Sequence, residues 1–246
     1  MPIVSRGGAS SNGNGNSNGL SPFVFTSSAQ HNDLYIACIT MASDSAINSF
    51  TWPSGWSMLE AQETAGAGGG FCRAEIGWTI WHQGDGSGKS GTLNTALING
   101  GWTCSSWGWD GVEASNPILQ HSMGTMNTAS SSSAVATPTA TDSTTGVWRA
   151  EFFQGFALSA ARSWSGYSPA DTERLDANYP LNTNRPTGAI VDSGAIVDAS
   201  SGTSVSGTPS GAIYCGVGSI ALLNPAPPVP PRPRNFSQAV TRGSFF

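Results

Sequence analysis

Phe71–Trp81 reads FCRAEIGWTIW, and Val147–Leu158 reads VWRAEFFQGFAL. In the first stretch Cys72, Ala74, Ile76, Trp78 and Ile80 fall on one side of an extended chain, with Arg73, Glu75, Gly77 and Thr79 on the other. In the second, Trp148, Ala150, Phe152, Phe156 and Leu158 share a side, Gln154 being the one polar member, and Arg149 and Glu151 point the opposite way. A period of two belongs to a β-strand with one apolar face. Asp33–Met41 (DLYIACITM) is apolar on both faces, as a central strand covered on both sides would be. Further strands are expected at Phe23–Ser28, Gly55–Ala61, Thr92–Leu97, Trp102–Trp109, Thr172–Leu175, Ala189–Asp192, Ala195–Asp198 and Ile213–Leu223. Clusters of Gly, Ser, Asn and Pro separate them, which is turn chemistry. No window carries the i, i+3, i+4, i+7 stripe of a helix. The expected fold is all-β: an antiparallel β-sandwich of jelly-roll type with extended N- and C-terminal arms.

Composition agrees. The chain has 246 residues, of which 36 are Ser, 21 Thr and 31 Gly, and only 10% are charged. Helical bundles and coiled coils need Ala, Glu, Lys and Leu at helical spacing, so they are excluded. The net charge of −5 speaks against a nucleic-acid partner bound through phosphates. No apolar run is long enough for a membrane-spanning helix. The opening Met1–Arg6 and the Gly/Asn/Ser tract Gly7–Gly19 lack the apolar core of a secretory signal, so export by that route is not expected.

Three segments follow: 1–22 as a flexible assembly arm, 23–223 as the sandwich, and 224–246 as a proline-rich C-terminal arm. Pro225–Pro233 favours an extended polyproline II rod. Beyond it lie Phe236, Phe245 and Phe246, and a solvated tail has no use for three phenylalanines. These are expected to anchor the arm on neighbouring chains. Within 23–223 two related halves are suggested. Asp33–Met41 followed by Trp52-Pro-Ser-Gly-Trp56 parallels Trp148–Ser159 followed by Ser163–Arg174, with the Ser/Thr run Thr125–Thr145 between them.

Signals for chemistry are weak. Gly84–Ser90 (GDGSGKS) is one residue short of a phosphate-binding loop and lies in a β context, so it reads as a hairpin loop. His31, His82 and His121 form no recognisable pair, and no GxSxG elbow is present. Glu75 and Glu151 would be the acids of a glycan hydrolase, but beside Arg73 and Arg149 they read better as solvated strand faces. Cys38, Cys72, Cys104 and Cys215 are expected as buried thiols, without the spacing of a metal site. No cofactor and no catalytic residue is expected. Nine tryptophans fill a core poor in Leu and Ile, or offer a sugar-stacking surface, for which Trp107 and Trp109 on one strand face are the candidates.

The order of Asn32–Ala37 (NDLYIA), Trp52–Leu59 (WPSGWSML), FCRAEIGWTIW, Trp107–Ile118 (WGWDGVEASNPI), Ser168–Arg174 (SPADTER) and Ile213–Leu223 (IYCGVGSIALL) resembles a β-sandwich domain of tailed-bacteriophage virion proteins, especially minor tail proteins of phages of actinobacteria. Gly111–Ile118 is the most specific part. The resemblance implies a structural or adhesive role in a virion, made in the bacterial cytoplasm. Its partners would be other virion proteins in several copies, and a host cell-surface glycan; capsid decoration is the neighbouring alternative. It brings no catalytic residues.

Overall fold

In the computed structural model the described residues are 2–14, 23–24, 29–66, 68–83, 85, 88–94, 96–128, 130–143 and 145–228. They build two five-stranded antiparallel sheets. The first uses β1 (Val4–Asn14), β2 (Leu34–Ser43), β3 (Ser57–Ala65), β4 (Phe71–Ile80) and β5 (Gly101–Asp110). The second uses β6 (Ile118–Met123), β7 (Thr145–Leu158), β8 (Thr172–Asn178), β9 (Asn184–Asp198) and β10 (Cys215–Leu223). Their orders are β1-β5-β2-β4-β3 and β6-β10-β7-β9-β8, the same arrangement shifted by five strands. No helix long and apolar enough to cross a membrane occurs among the described residues.

The suggested halves are therefore two sheets of equal topology, with β2 matching β7 and β3 matching β8. This departs from a jelly roll, which passes its chain back and forth between its sheets. Here one sheet is finished at Asp110 before the other begins at Ile118. Only β3–β4 in the first sheet and β8–β9 in the second pair as consecutive strands; the other ladders join strands farther apart in sequence but within the same half.

The sheets stack face to face. Leu34, Ile36 and Cys38 of β2 and Ile76 of β4 meet Trp148, Ala150 and Phe152 of β7 and Ile190 of β9. Further along, Ala42, Cys72 and Ala74 meet Phe156, Cys215 and Val217. Each buried aromatic or branched side chain here contributes about 1.5–3 kcal/mol. Gln154, the polar exception, is wholly buried, and its side-chain amide donates to the Ile39 carbonyl at 2.7 Å, tying the two sheets.

The outer faces are covered too. Tyr35, Ala37, Ile39 and Met41 pack under Ile47, Phe50, Trp56, Leu93 and Leu97 from the connecting loops. On the second sheet Phe153, Ala157 and Val191 pack under Trp164, Val205 and Ile213, beside a small sheet of Val135–Ala136, Ser206–Pro209 and Trp164–Ser168 to which Trp164 belongs. The molecule thus has more layers than a two-layer sandwich.

Segment 1–22 was expected as a flexible arm, and its residues 4–14 correct that. They pair with β5 from Val4 opposite Asp110 to Asn14 opposite Gly101. Propensity does not explain this strand; its neighbour does. β5 would otherwise present an open edge of N–H and C=O groups. Its tryptophans lie across the added strand, and a Cβ on Gly8 would stand 2.7 Å from the Trp107 ring, one on Gly13 2.8 Å from the Trp102 ring. Glycine is what lets the backbone come that close. Arg6 pins the strand, reaching Asp110 at 2.5 Å and Gln30 at 2.9 Å. Residues 15–22 and 229–246, with Phe236, Phe245 and Phe246, lie outside the described residues.

Candidate functional site

Trp107 and Trp109 do share a face, and that face turns inward. Trp109 has no exposed surface, and its indole N–H donates to Asp192 at 2.9 Å in the core between the sheets. Trp107 is half-buried, its N–H bound to Ser5 Oγ at 2.7 Å. Alternation groups residues by face, but does not say which face meets water. Trp109 is therefore a core residue and offers no ring to a sugar.

The charged residues of the outward strand faces are not solvated either. Glu75 is fully buried. It accepts from Arg73 Nε at 2.6 Å, from the Phe50 N–H at 3.0 Å and from the Trp52 indole at 2.9 Å. Trp52 lies flat over Gly77, where a Cβ would meet its ring at 2.7 Å. Glu151 is likewise fully buried beside Arg149, whose guanidinium also grips both Asp171 oxygens at 2.7 Å and Thr203 at 2.5 Å. The Glu151–Arg149 pair is a close contact between Oε1 and Nε. Burial pushes the Glu151 carboxyl well above the usual carboxylate range, against the pull of Arg149 and with Asp171 adding repulsion. Glu75 itself ties the loop carrying Phe50 and Trp52 to its strand, whereas at Glu151 it is the neighbouring Arg149 that reaches the loop residues Asp171 and Thr203. The signal was in the sequence, since Arg-Ala-Glu occurs at 73–75 and again at 149–151.

The four cysteines are free thiols in the core. Burial pushes Cys38 up to about 12. Cys72 and Cys215 lie in one core cluster between the sheets, and the neighbouring thiol together with burial raises Cys72 well above an ordinary thiol. No group of three or more His, Cys, Asp or Glu side chains placed to hold a metal ion occurs among the described residues.

Asp176 on β8 has a different burden. Its Oδ2 accepts the Trp164 N–H at 3.0 Å. Burial, with Glu173 nearby, raises its pKa to about 6. A carboxyl raised in the folded state holds its proton there while the unfolded chain has lost it. Stability contributed by this group therefore falls as pH rises from about 4 to about 6, and is level above. Asp176→Asn keeps the acceptor without the charge. It is expected to raise the urea midpoint at pH 7 and to leave it nearly unchanged at pH 3.5; equal shifts at both pH values would count against this account.

Three clefts gather where β4 and β5 end and β3 and β6 begin. One cleft of about 320 Å³ is lined by Ser57, Trp78, His82, Asp85 and Lys89, among others. A second of about 300 Å³ runs between the edge strands β3 and β6, lined by Leu59, Trp78, Asn116, Pro117 and His121. A third of about 270 Å³ is lined by His31, Asn32, Asp110, Glu113 and Ala226. Trp78 is common to the first two, and the His31 and His82 rings, 5.5 Å apart, join the first to the third. The stretch Gly111–Ile118 lines both the second and the third. It is sewn to the end of the second sheet: Glu113 N–H to Asn224 O at 2.8 Å, Asn224 N–H to Pro117 O at 2.9 Å, and Ala226 N–H to Gly111 O at 2.8 Å. Of the stretch 84–90, Lys89 joins this surface, binding Asp85 at 3.2 Å and the Ser54 carbonyl at 3.3 Å. The chain's only lysine is thus held by protein oxygens. Face alternation alone assigned Trp78 to the core. It reaches the surface because it stands beside β3, the edge of its sheet, where the sandwich ends.

Comparison with family models, with curated proteins and with solved structures finds no match to this chain.

Proposed function

We propose that the chain is a structural, non-enzymatic component of a bacteriophage virion, of minor tail type, held in the particle through its C-terminal segment and displaying the sandwich at the surface. One observation carries this reading. Gly111–Ile118, the stretch on which the resemblance rests most, is bonded by main-chain groups to Asn224–Ala226, where the proline-rich segment begins. Pro225 also bridges to Val112. The C-terminal segment therefore departs from a rigid point at one pole, which suits a mount. The N-terminal segment takes no such part over residues 4–14, which complete the chain's own sheet. The mounting role falls to residues 229–246, with Phe236, Phe245 and Phe246 as anchors worth about 1.5–3 kcal/mol each when fully buried.

Deleting residues 229–246 tests the reading. The truncated chain is expected to keep its thermal midpoint, because Asn224–Ala226 and their bonds remain, and to be missing from purified particles when it replaces the full chain in an infection. Incorporation at the normal copy number would overturn the C-terminal mount.

A further inference from the structure

Trp78 differs from the other tryptophans in what surrounds it. Trp102, Trp109 and Trp164 are fully buried. Trp52 stacks on Trp56 and donates to Glu75, and Trp107 donates to Ser5. Trp78 is half-buried: one part packs on the inter-sheet core, and the rest forms the wall shared by the two clefts on the β3–β6 flank. Its indole N–H has no hydrogen-bond partner among the described residues.

The groups around it choose the ligand. Lys89 is paired with Asp85 at 3.2 Å, and His121 with Glu60 at 2.8 Å. Among the described residues lining the groove, Lys89 is thus matched by a carboxylate and the His121 ring by Glu60, with the His82 ring set against His31, so the lining favours neither a phosphate or sulfate nor a basic peptide. What it does present is an aromatic face with neutral hydrogen-bonding side chains on either side, Ser57 in one cleft and Asn116 in the other, both exposed. An indole flanked by such groups matches a pyranose: its C–H face lies on the ring and its hydroxyls reach the polar rim. Two clefts flank one tryptophan, so the ligand extends past a single ring.

We propose that the groove across Trp78, between β3 and β6, binds a neutral oligosaccharide, with Trp78 as the stacking platform and Ser57 and Asn116 as hydroxyl partners. The site stands on its own geometry and does not depend on the virion reading; it takes the place of the sugar surface once expected at Trp107 and Trp109.

The test titrates the full chain with neutral oligosaccharides of glucose, mannose, galactose and N-acetylglucosamine, four to six units long, followed by tryptophan fluorescence and calorimetry. At least one is expected to bind in a saturable, one-to-one manner that 0.5 M NaCl leaves intact. Trp78→Ala is expected to weaken it about tenfold or more, and Trp78→Phe less. Because Trp78 also touches the core, Asn116→Ala and Ser57→Ala serve as variants at exposed positions, each expected to weaken binding severalfold with an unchanged thermal midpoint. Binding by none of the sugars, equal binding by Trp78→Ala, or preference for a sulfated oligosaccharide that salt abolishes would each overturn the proposal. Incorporation into particles is scored separately, so failure here and failure of the C-terminal mount are distinct results.

Discussion

Trp109→Ala is expected to destabilise the fold by about 3–5 kcal/mol, the range for emptying a buried tryptophan site. For a chain of this size that lowers the thermal midpoint by about 6–20 °C. The indole is wholly enclosed between the sheets, and β5 carries it against Asp192 on β9. Removing it leaves a void among the packed side chains between the sheets. It also takes a donor from Asp192, whose carboxylate is then left with Arg174 at 2.8 and 2.9 Å and the Gly194 N–H at 2.9 Å. Trp109→Phe is expected to recover most of the packing and not the hydrogen bond. Thermal unfolding followed by circular dichroism measures both. A loss below about 1 kcal/mol for the alanine variant would place this indole at the surface after all.

Arg149→Leu is expected to cost a similar amount, about 3–5 kcal/mol, through charge instead of volume. Arg149 is 5% exposed and is the cation shared by Glu151 and Asp171. Without it the two acids face each other in a dry site, and Thr203 loses the donor that fixes its loop. The variant therefore carries a signature that a packing defect lacks. Its deficit is expected to shrink on acidification from pH 7 to pH 4, because protonation removes the unpaired charge. Arg149→Leu combined with Glu151→Leu is expected to be more stable than Arg149→Leu alone, with a coupling energy of about 0.5–3 kcal/mol. Urea unfolding of the wild type and the three variants at both pH values measures this. A deficit independent of pH would show that the guanidinium matters only as volume.

Several elements were open to reading in advance. β4 and β7 announce themselves by alternation, and β2 by its apolar run, because a strand's side chains must divide between two faces. The pairing of halves around Asp33–Met41 and Trp148–Ser159 was also visible, and became two sheets of one strand order. β1 was hidden. Val4–Asn14 is mostly Gly, Ser and Asn, and only the open edge and the tryptophans of β5 make it a strand. The Ala189–Asp192 and Ala195–Asp198 strands proved to be one, β9, bent at Gly194 with φ +64°. The groove was partly visible: Gly111–Ile118 stood out as a motif, while Trp78 was grouped with the core on its strand's apolar side.

The amino-acid order by itself determined which residues share a strand face, where turns fall and that the class is all-β, and it suggested two related halves. Those are consequences of local geometry, since a pleated backbone and a glycine turn need no distant partner. Tertiary structure decided which faces stay wet. Glu75, Arg149 and Glu151 sit on the polar faces the alternation assigned them and are nonetheless buried, because loops distant in sequence close over them. Trp78, on an apolar face, reaches solvent because its strand lies next to a sheet edge. Exposure depends on what another part of the chain places above a residue, and that is a property of packing between segments that no local pattern encodes.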